Sequence, residues 1–213
     1  MILSRGRNYL FIHIPKTGGT SLALALEARA MKDDIMLGDT PKAVRRRKRV
    51  NHDLAAGRLW KHSKLQDLMG LIQPEELTSL RIVTLVRNPW DRMVSYYHWL
   101  QDQSFDHPAV ARAQRLDFTA FLTHPETVHS VRQNSYSSYV DCPKVNFAPD
   151  FIRLEHFVED SAGFAKHLGF DLKLPHVNRS TSAGHYRDHY TEATQALVAQ
   201  ICAADIQKFG YHY

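Results

Sequence analysis

The chain of 213 residues, 44% hydrophobic and 23% charged, is long enough for one well-cored α/β domain, too short for two large ones, and too apolar to be disordered. Its 27 Lys and Arg against 22 Asp and Glu leave a net charge of +5, with 13 His besides, which suits an anionic ligand and is too small an excess to argue for nucleic acid. The two cysteines, Cys142 and Cys202, signal neither a disulfide framework nor a zinc site and read as buried thiols. No run reaches the roughly 20 apolar residues of a membrane span, and the opening Met1-Ile-Leu-Ser-Arg-Gly-Arg lacks a signal-peptide core, so the chain reads as cytoplasmic.

Tyr9 to Ile14 reads as a short buried strand, and Thr20 to Met31 as a helix whose Leu and Ala residues bury against a sheet. Between them lies Pro15-Lys16-Thr17-Gly18-Gly19, opening into Thr20-Ser21. A strand that feeds a helix through such a turn leaves amides unpaired where the helix dipole is positive, so the turn attracts an anion. Residues 32 to 58 are less regular and hold the basic run Arg45 to Arg49, a solvated face or else a platform for an anionic substrate. Lys64 to Ile72 predicts a short amphipathic helix with Ser63 as N-cap, and Pro74-Glu75-Glu76 opens another turn.

Arg81 to Val86 has the β-branched, apolar pattern of a strand covered on both faces, and Pro89 is placed to begin the helix that follows. Asp102 to Arg115 is polar and reads as loop with room for one helical turn, ahead of a helix over Phe118 to Leu122. Residues 151 to 157 predict a third strand, 158 to 168 a helix stopped by Gly169, 175 to 190 an irregular segment, and Thr191 to Phe209 a final amphipathic helix. There is no internal repeat. Strands alternating with helices imply a central parallel sheet flanked by helices, an α/β fold of three layers in a single domain spanning 1–213.

The turn is not an ordinary nucleotide loop. In the G-x-x-x-x-G-K-[ST] pattern Lys follows the glycines, whereas Lys16 precedes Gly18-Gly19, and no G-x-G-x-x-G occurs. "IPKTGGTSL" instead resembles the 5′-phosphosulfate loop of sulfotransferases that use 3′-phosphoadenosine-5′-phosphosulfate (PAPS), and "LVRNPWDRMVSYY", 85 to 97, resembles their 3′-phosphate motif. "KHS" at 61 to 63, "LPHVNRS", "HYRDHY" and "DIQKFGY" are similar to segments of the carbohydrate-type and bacterial branch. Residues 32 to 58 and 102 to 150 match least.

The resemblance implies a P-loop-like sulfotransferase fold and a donor site made of Pro15, Lys16, Thr17, Gly18, Gly19, Thr20, Ser21, Arg87, Ser95 and Arg179. Arg87, at the C-terminal edge of a strand, would offer its planar fork to the 3′-phosphate, with the Ser95 hydroxyl two helical turns on. Lys16 and the amides of Gly18 to Ser21 would stabilise the leaving phosphate without a metal, and His62 would take the proton of an acceptor hydroxyl. Glu155 is an alternative base or an orienting group, Ser180 a companion to Arg179 in a late loop that also reads as plain surface, His13 a core or rim residue, and His98 a residue packed along its helix. Trp90, Tyr96, Tyr97 and Trp99 read as core.

The function so implied is transfer of the sulfuryl group from PAPS to a hydroxyl, carbohydrate being the favoured acceptor, with release of adenosine 3′,5′-bisphosphate (PAP) by a bacterial, cytoplasmic enzyme. Alternatives are a Mg²⁺-dependent nucleotide kinase or NTPase with a divergent loop, and a non-catalytic nucleotide-binding module. Acceptor identity and oligomeric state are not legible in the residues.

Overall fold

Two apolar strands of unlike origin set the sheet: Tyr9–Ile12 and Arg81–Val86 run parallel, with Tyr9 opposite Arg81 and Ile12 opposite Thr84. The computed structural model describes residues 1–143, 145–175 and 185–213. It divides into two compact units, Met1–Val86 with Ser137–Val177, and Arg87–Tyr136 with Asn178–Tyr213. The first unit begins with β1 (Ile2–Ser4), β2 (Tyr9–Ile12), α1 (Gly19–Glu27), β3 (Ile35–Met36), α2 (Pro41–Arg46), α3 (Pro74–Ser79) and β4 (Arg81–Val86). The second then supplies α4 (Pro89–Gln101), α5 (Pro108–Arg115), α6 (Phe118–Thr123) and α7 (Pro125–Gln133). Through α8 (Tyr136–Val140) the chain re-enters the first unit for β5 (Asp150–Arg153), α9 (Phe157–Asp160) and α10 (Ala162–Leu168), and α11 (Glu192–Ile201) and α12 (Ala203–Phe209) complete the second.

The sheet order is β3-β1-β2-β4-β5. β2, β4 and β5 are parallel, as the alternation of strands and helices predicts, but β1 is antiparallel to both of its neighbours. The reason is local. β1 returns to β2 through Arg5–Asn8, where the Asn8 amide donates to the Arg5 carbonyl at 3.2 Å and Asn8 takes φ 56°. Only antiparallel neighbours accept so short a connection, and Asn is among the few residues that tolerate a left-handed backbone.

One face of the sheet carries Tyr9, Phe11, Val83, Leu85 and Ile152, which pack with Leu22, Ala23 and Leu26 of α1 and with Phe157, Phe164 and Leu168 beyond β5. The alternate residues Leu10, Ile12 and Ile82 are buried too, so β2 and β4 are covered on both faces. Thr84 is the polar exception, and its hydroxyl donates to the Ile12 carbonyl at 2.8 Å. Parallel β2 and β4 therefore end at the same sheet edge.

Several boundaries depart from expectation. Residues 65–68 make only a 3-10 turn, because Ser63, read as its N-cap, turns inward and donates to the carbonyls of Arg58 and Trp60. The stretch expected to be loop holds α5, with His107 capping the Ala109 amide and Pro108 at its first position. The long last helix is broken at Cys202, and the third strand stops at Arg153. Among the described residues no helix is long and apolar enough to cross a membrane.

Candidate active site

The turn after β2 is tied from within. The buried Thr17 hydroxyl donates to the Ile14 carbonyl at 2.9 Å, and Lys16 adopts φ 65°, a left-handed conformation unusual outside glycine. Gly18 follows at φ 85° as the N-cap of α1. The two glycines answer different demands. A Cβ on Gly18 would combine a disfavoured backbone with a contact of 2.8 Å to Leu154 Cδ1, while one on Gly19 would lie 2.2 Å from His13 Cδ2. Gly18 supplies backbone freedom, and Gly19 lets the His13 ring press against the start of the helix. The expected row of amides is shortened by one, since the Ser21 N–H donates to the Gly18 carbonyl at 3.0 Å. The remaining first-turn amides, of Gly19 and Thr20, have no intrahelical acceptor.

His62 reaches the same end of β2. The tight turn before it is knotted by Ser63, which accepts from the Trp60 amide at 2.8 Å, and Lys61 is paired with Asp39 at 2.6 Å. The Nδ1–H of His62 donates to the carbonyl oxygen of His13, 2.7 Å away. A carbonyl only accepts, so this bond puts the proton on Nδ1 and leaves the lone pair on Nε2. The ring meets His13 and Trp60 edge-on, with centroids 4.6 and 5.1 Å apart. Burial lowers the His62 pKa to about 3 against the supporting hydrogen bond to the His13 carbonyl, and burial with the neighbouring His62 drives His13 well below its ordinary value. Both imidazoles are neutral at pH 7.

The second sequence motif begins where β4 ends. Arg87 directly follows Val86, and its Nε and Nη2 both approach Asp91 Oδ2 at 2.7 Å. Asn88 Oδ1 accepts from the Trp90 amide at 3.1 Å and so caps α4. Ser95 lies four residues beyond Asp91 on this helix, hence on the same face, one turn further. Asp91, which holds the Arg87 fork, was not singled out in the sequence, although its i,i+4 spacing from Arg87 at a helix start is the signal that finds it.

Glu155 does not end a strand but sits in the 3-10 turn 154–156 just after β5. Arg179 and Ser180 lie outside the described residues. In the basic run, Arg46 and Arg49 donate to the carbonyls of Met31 and Lys32, at 2.6 and 3.2 Å, while Arg45, Arg47 and Lys48 are exposed. Trp90 and Tyr97 are core as expected, but Trp99 is 36% exposed. His98 sits on α4 with its Nδ1 3.2 Å from Gln101 Oε1. Both cysteines are buried thiols. A cavity of about 200 Å³ opens beside His13 and Thr20, walled by Leu24, Met36 and Leu37, with Glu27 and Thr40 on its polar side. Among the described residues no three His, Cys, Asp or Glu are grouped to hold a metal ion.

A neutral imidazole with an oriented lone pair beside an anion-attracting turn is equipped for proton removal next to a transferring anionic group. Comparison with protein families agrees in kind. A family model described as the sulfotransferase family matches residues 1–212. Among solved structures, that of mouse sulfotransferase SULT7A1 complexed with PAP aligns with a TM-score of 0.49 at 16% identity, covering 96% of this chain and 85% of that one. No curated protein sequence is significantly similar. The family match runs through both compact units, and the chain belongs to the sulfotransferase family, enzymes of sulfuryl transfer.

Proposed function

We propose that the chain is a single sulfotransferase domain that moves the sulfuryl group from PAPS to an acceptor hydroxyl, with carbohydrate as the favoured acceptor class. The observation that carries this reading is the 2.7 Å bond from His62 Nδ1–H to the His13 carbonyl, two residues ahead of the Pro15–Ser21 turn. It orients a base beside the turn that would hold the donor's 5′-phosphosulfate. The Arg87 fork and the Ser95 hydroxyl, which begin where the neighbouring parallel strand ends, would take the 3′-phosphate. Pro15, Lys16, Thr17 and the amides of Gly18, Gly19 and Thr20 would line the other end, with Arg179 a further candidate.

In the reaction the acceptor oxygen attacks sulfur as its proton passes to His62 Nε2. An O–S bond forms, the bond from sulfur to the bridging phosphate oxygen breaks, and the electron pair leaves on PAP. Lys16 and the helix amides meet the charge growing on that phosphate, so no metal is assigned a role. The imidazolium keeps its bond to the His13 carbonyl, and the bound anionic donor raises the basicity that burial depresses. The cavity beside His13 and Thr20 offers concave surface for part of the acceptor. A bacterial, cytoplasmic setting belongs to this reading through the resemblance to the bacterial branch, taken with a sequence that holds no run of apolar residues long enough to span a membrane.

Calorimetric titration with PAP and with ATP, each with EDTA or Mg²⁺, tests the donor. Metal-independent binding of PAP, weakened by Lys16→Gly and by Arg87→Ala, supports it. Preference for Mg-ATP assigns the chain to the kinase reading instead.

A further inference from the structure

The second unit contains a buried polar cluster that touches Arg87, the candidate 3′-phosphate ligand. Tyr136 is fully buried, and its phenol donates to the main-chain carbonyl of Arg87 at 2.5 Å. The Tyr136 amide in turn donates to both carboxylate oxygens of Asp205, each at 3.1 Å, and Asp205 is also buried. Arg92 places its guanidinium carbon 4.9 Å from the centre of the Tyr136 ring. On the far side of the same peptide, Asn88 caps α4 with Oδ1 and donates from Nδ2 to the His212 carbonyl at 2.8 Å.

Phenylalanine would fill the volume of Tyr136 equally well. What the hydroxyl adds is directed hydrogen bonding, shared with the Arg92 side chain, and its donated bond goes to the residue whose side chain is the candidate 3′-phosphate ligand. That carbonyl belongs to the peptide plane linking Arg87 to Asn88. Holding that plane fixes the main chain on the C-terminal side of the Arg87 Cα, and so the base from which the long Arg87 side chain extends. A binding group has to be held to within about 0.5 Å and 10–20° of its working geometry. Asp91 holds the tip of Arg87, at 2.7 Å, and Tyr136 holds its root.

We propose that Tyr136, itself fixed by Asp205, is a positioning residue that presets Arg87 for the 3′-phosphate. The inference rests on the reading of Arg87 as that phosphate's ligand. It predicts that Tyr136 governs discrimination for the 3′-phosphate and leaves the 5′ end of the ligand alone.

The test is the ratio of affinities for PAP and for adenosine 5′-phosphate, which differ only in the 3′-phosphate, measured on the full chain with melting temperatures alongside. Tyr136→Phe, which keeps the ring, should lower that ratio about tenfold, the worth of the hydrogen bonding that supports the charged Arg87 side chain, with affinity for adenosine 5′-phosphate unchanged. Asp205→Asn should move it the same way. Arg87→Ala should collapse the ratio, and adding Tyr136→Phe to it should change nothing more. A wild-type ratio in Tyr136→Phe beside a collapsed one in Arg87→Ala overturns the positioning role and leaves the donor reading standing. Equal loss of both affinities in Tyr136→Phe also overturns it, as a general packing effect. A wild-type ratio in Arg87→Ala overturns the donor reading itself.

Discussion

His62 takes its orientation from the backbone of His13: the Nδ1–H of one donates to the carbonyl oxygen of the other at 2.7 Å, and the two rings meet edge-on. Because the acceptor is main chain, the tautomer that leaves Nε2 basic survives any change of the His13 side chain that keeps β2 in place.

His62→Gln should therefore bind PAP like the wild type and lose about 10²–10⁴ in turnover, the usual worth of a positioned base. In the wild type, the acid limb of kcat/KM should lie below pH 6.5, since burial lowers the His62 pKa to about 3. The limb of kcat, read with donor bound, should lie at higher pH than the limb of kcat/KM. Rate profiles from pH 4 to 8 check both; an acid limb above pH 6.5 in kcat/KM contradicts the assignment.

The same two imidazoles link folding to pH. His62 and His13 both have folded pKa values below the unfolded 6.5, so the unfolded chain binds their protons more readily. Their contribution is present in full above pH 6.5 and is lost as pH falls toward the folded values, near 3 for His62. Urea unfolding at pH 7.5 and 4.5 should show lower stability at pH 4.5. His62→Gln should reduce that loss, unless its own folding is impaired at both values.

Lys16 is held at φ 65°, where glycine has the advantage. Lys16→Gly should preserve the turn and hold or raise stability by up to about 1 kcal/mol, as relief of a left-handed side-chain residue outweighs the entropy of glycine. PAP affinity should fall about tenfold or more with loss of the ammonium. Thermal melts and calorimetry read the two effects separately. Alanine at this position would mix them.

Gly19→Ala puts a methyl group 2.2 Å from His13 Cδ2. The ring must move, and with it the surface against which His62 packs. Overpacking of this kind costs about 1–3 kcal/mol, and turnover should drop by more than PAP affinity does. Equal kcat in wild type and variant would show that the His13 ring does not support the base.

Asp91→Asn removes the charge that gathers Arg87 Nε and Nη2 at 2.7 Å while keeping the side-chain shape. Because the fork needs that anchor, PAP binding should weaken several-fold even though a negative charge near the ligand has gone. Stronger binding would mean that Asp91 chiefly competes with the phosphate for the fork. Titration at two salt concentrations separates the terms.

The candidate site was legible where chemistry and backbone demand coincide. Gly18 and Gly19 stand out in a sequence because few residues survive at positive φ or under a pressed ring, and Arg87 because a strand of RIVTLV ends in a cation. β4 read correctly to both ends, since its β-branched residues are buried on both faces. β1 and β3, of three and two residues, were not read, because so few side chains carry no period. Pro108 and His107, which cap and start α5, were lost in a polar stretch. Tyr136 and Asp205 were beyond reach for another reason. They stand 49 and 118 positions from Arg87, and long-range pairing leaves no mark in local pattern.

The decisive measurement is release of PAP from PAPS with and without a panel of hydroxyl acceptors, glycans first, in EDTA, for the wild type and His62→Gln. Acceptor-dependent PAP release by the wild type, absent in His62→Gln although that variant binds PAP undiminished, is the expected result. Equal PAP release by the two proteins in the presence of acceptor would contradict it and remove His62 from the chemistry.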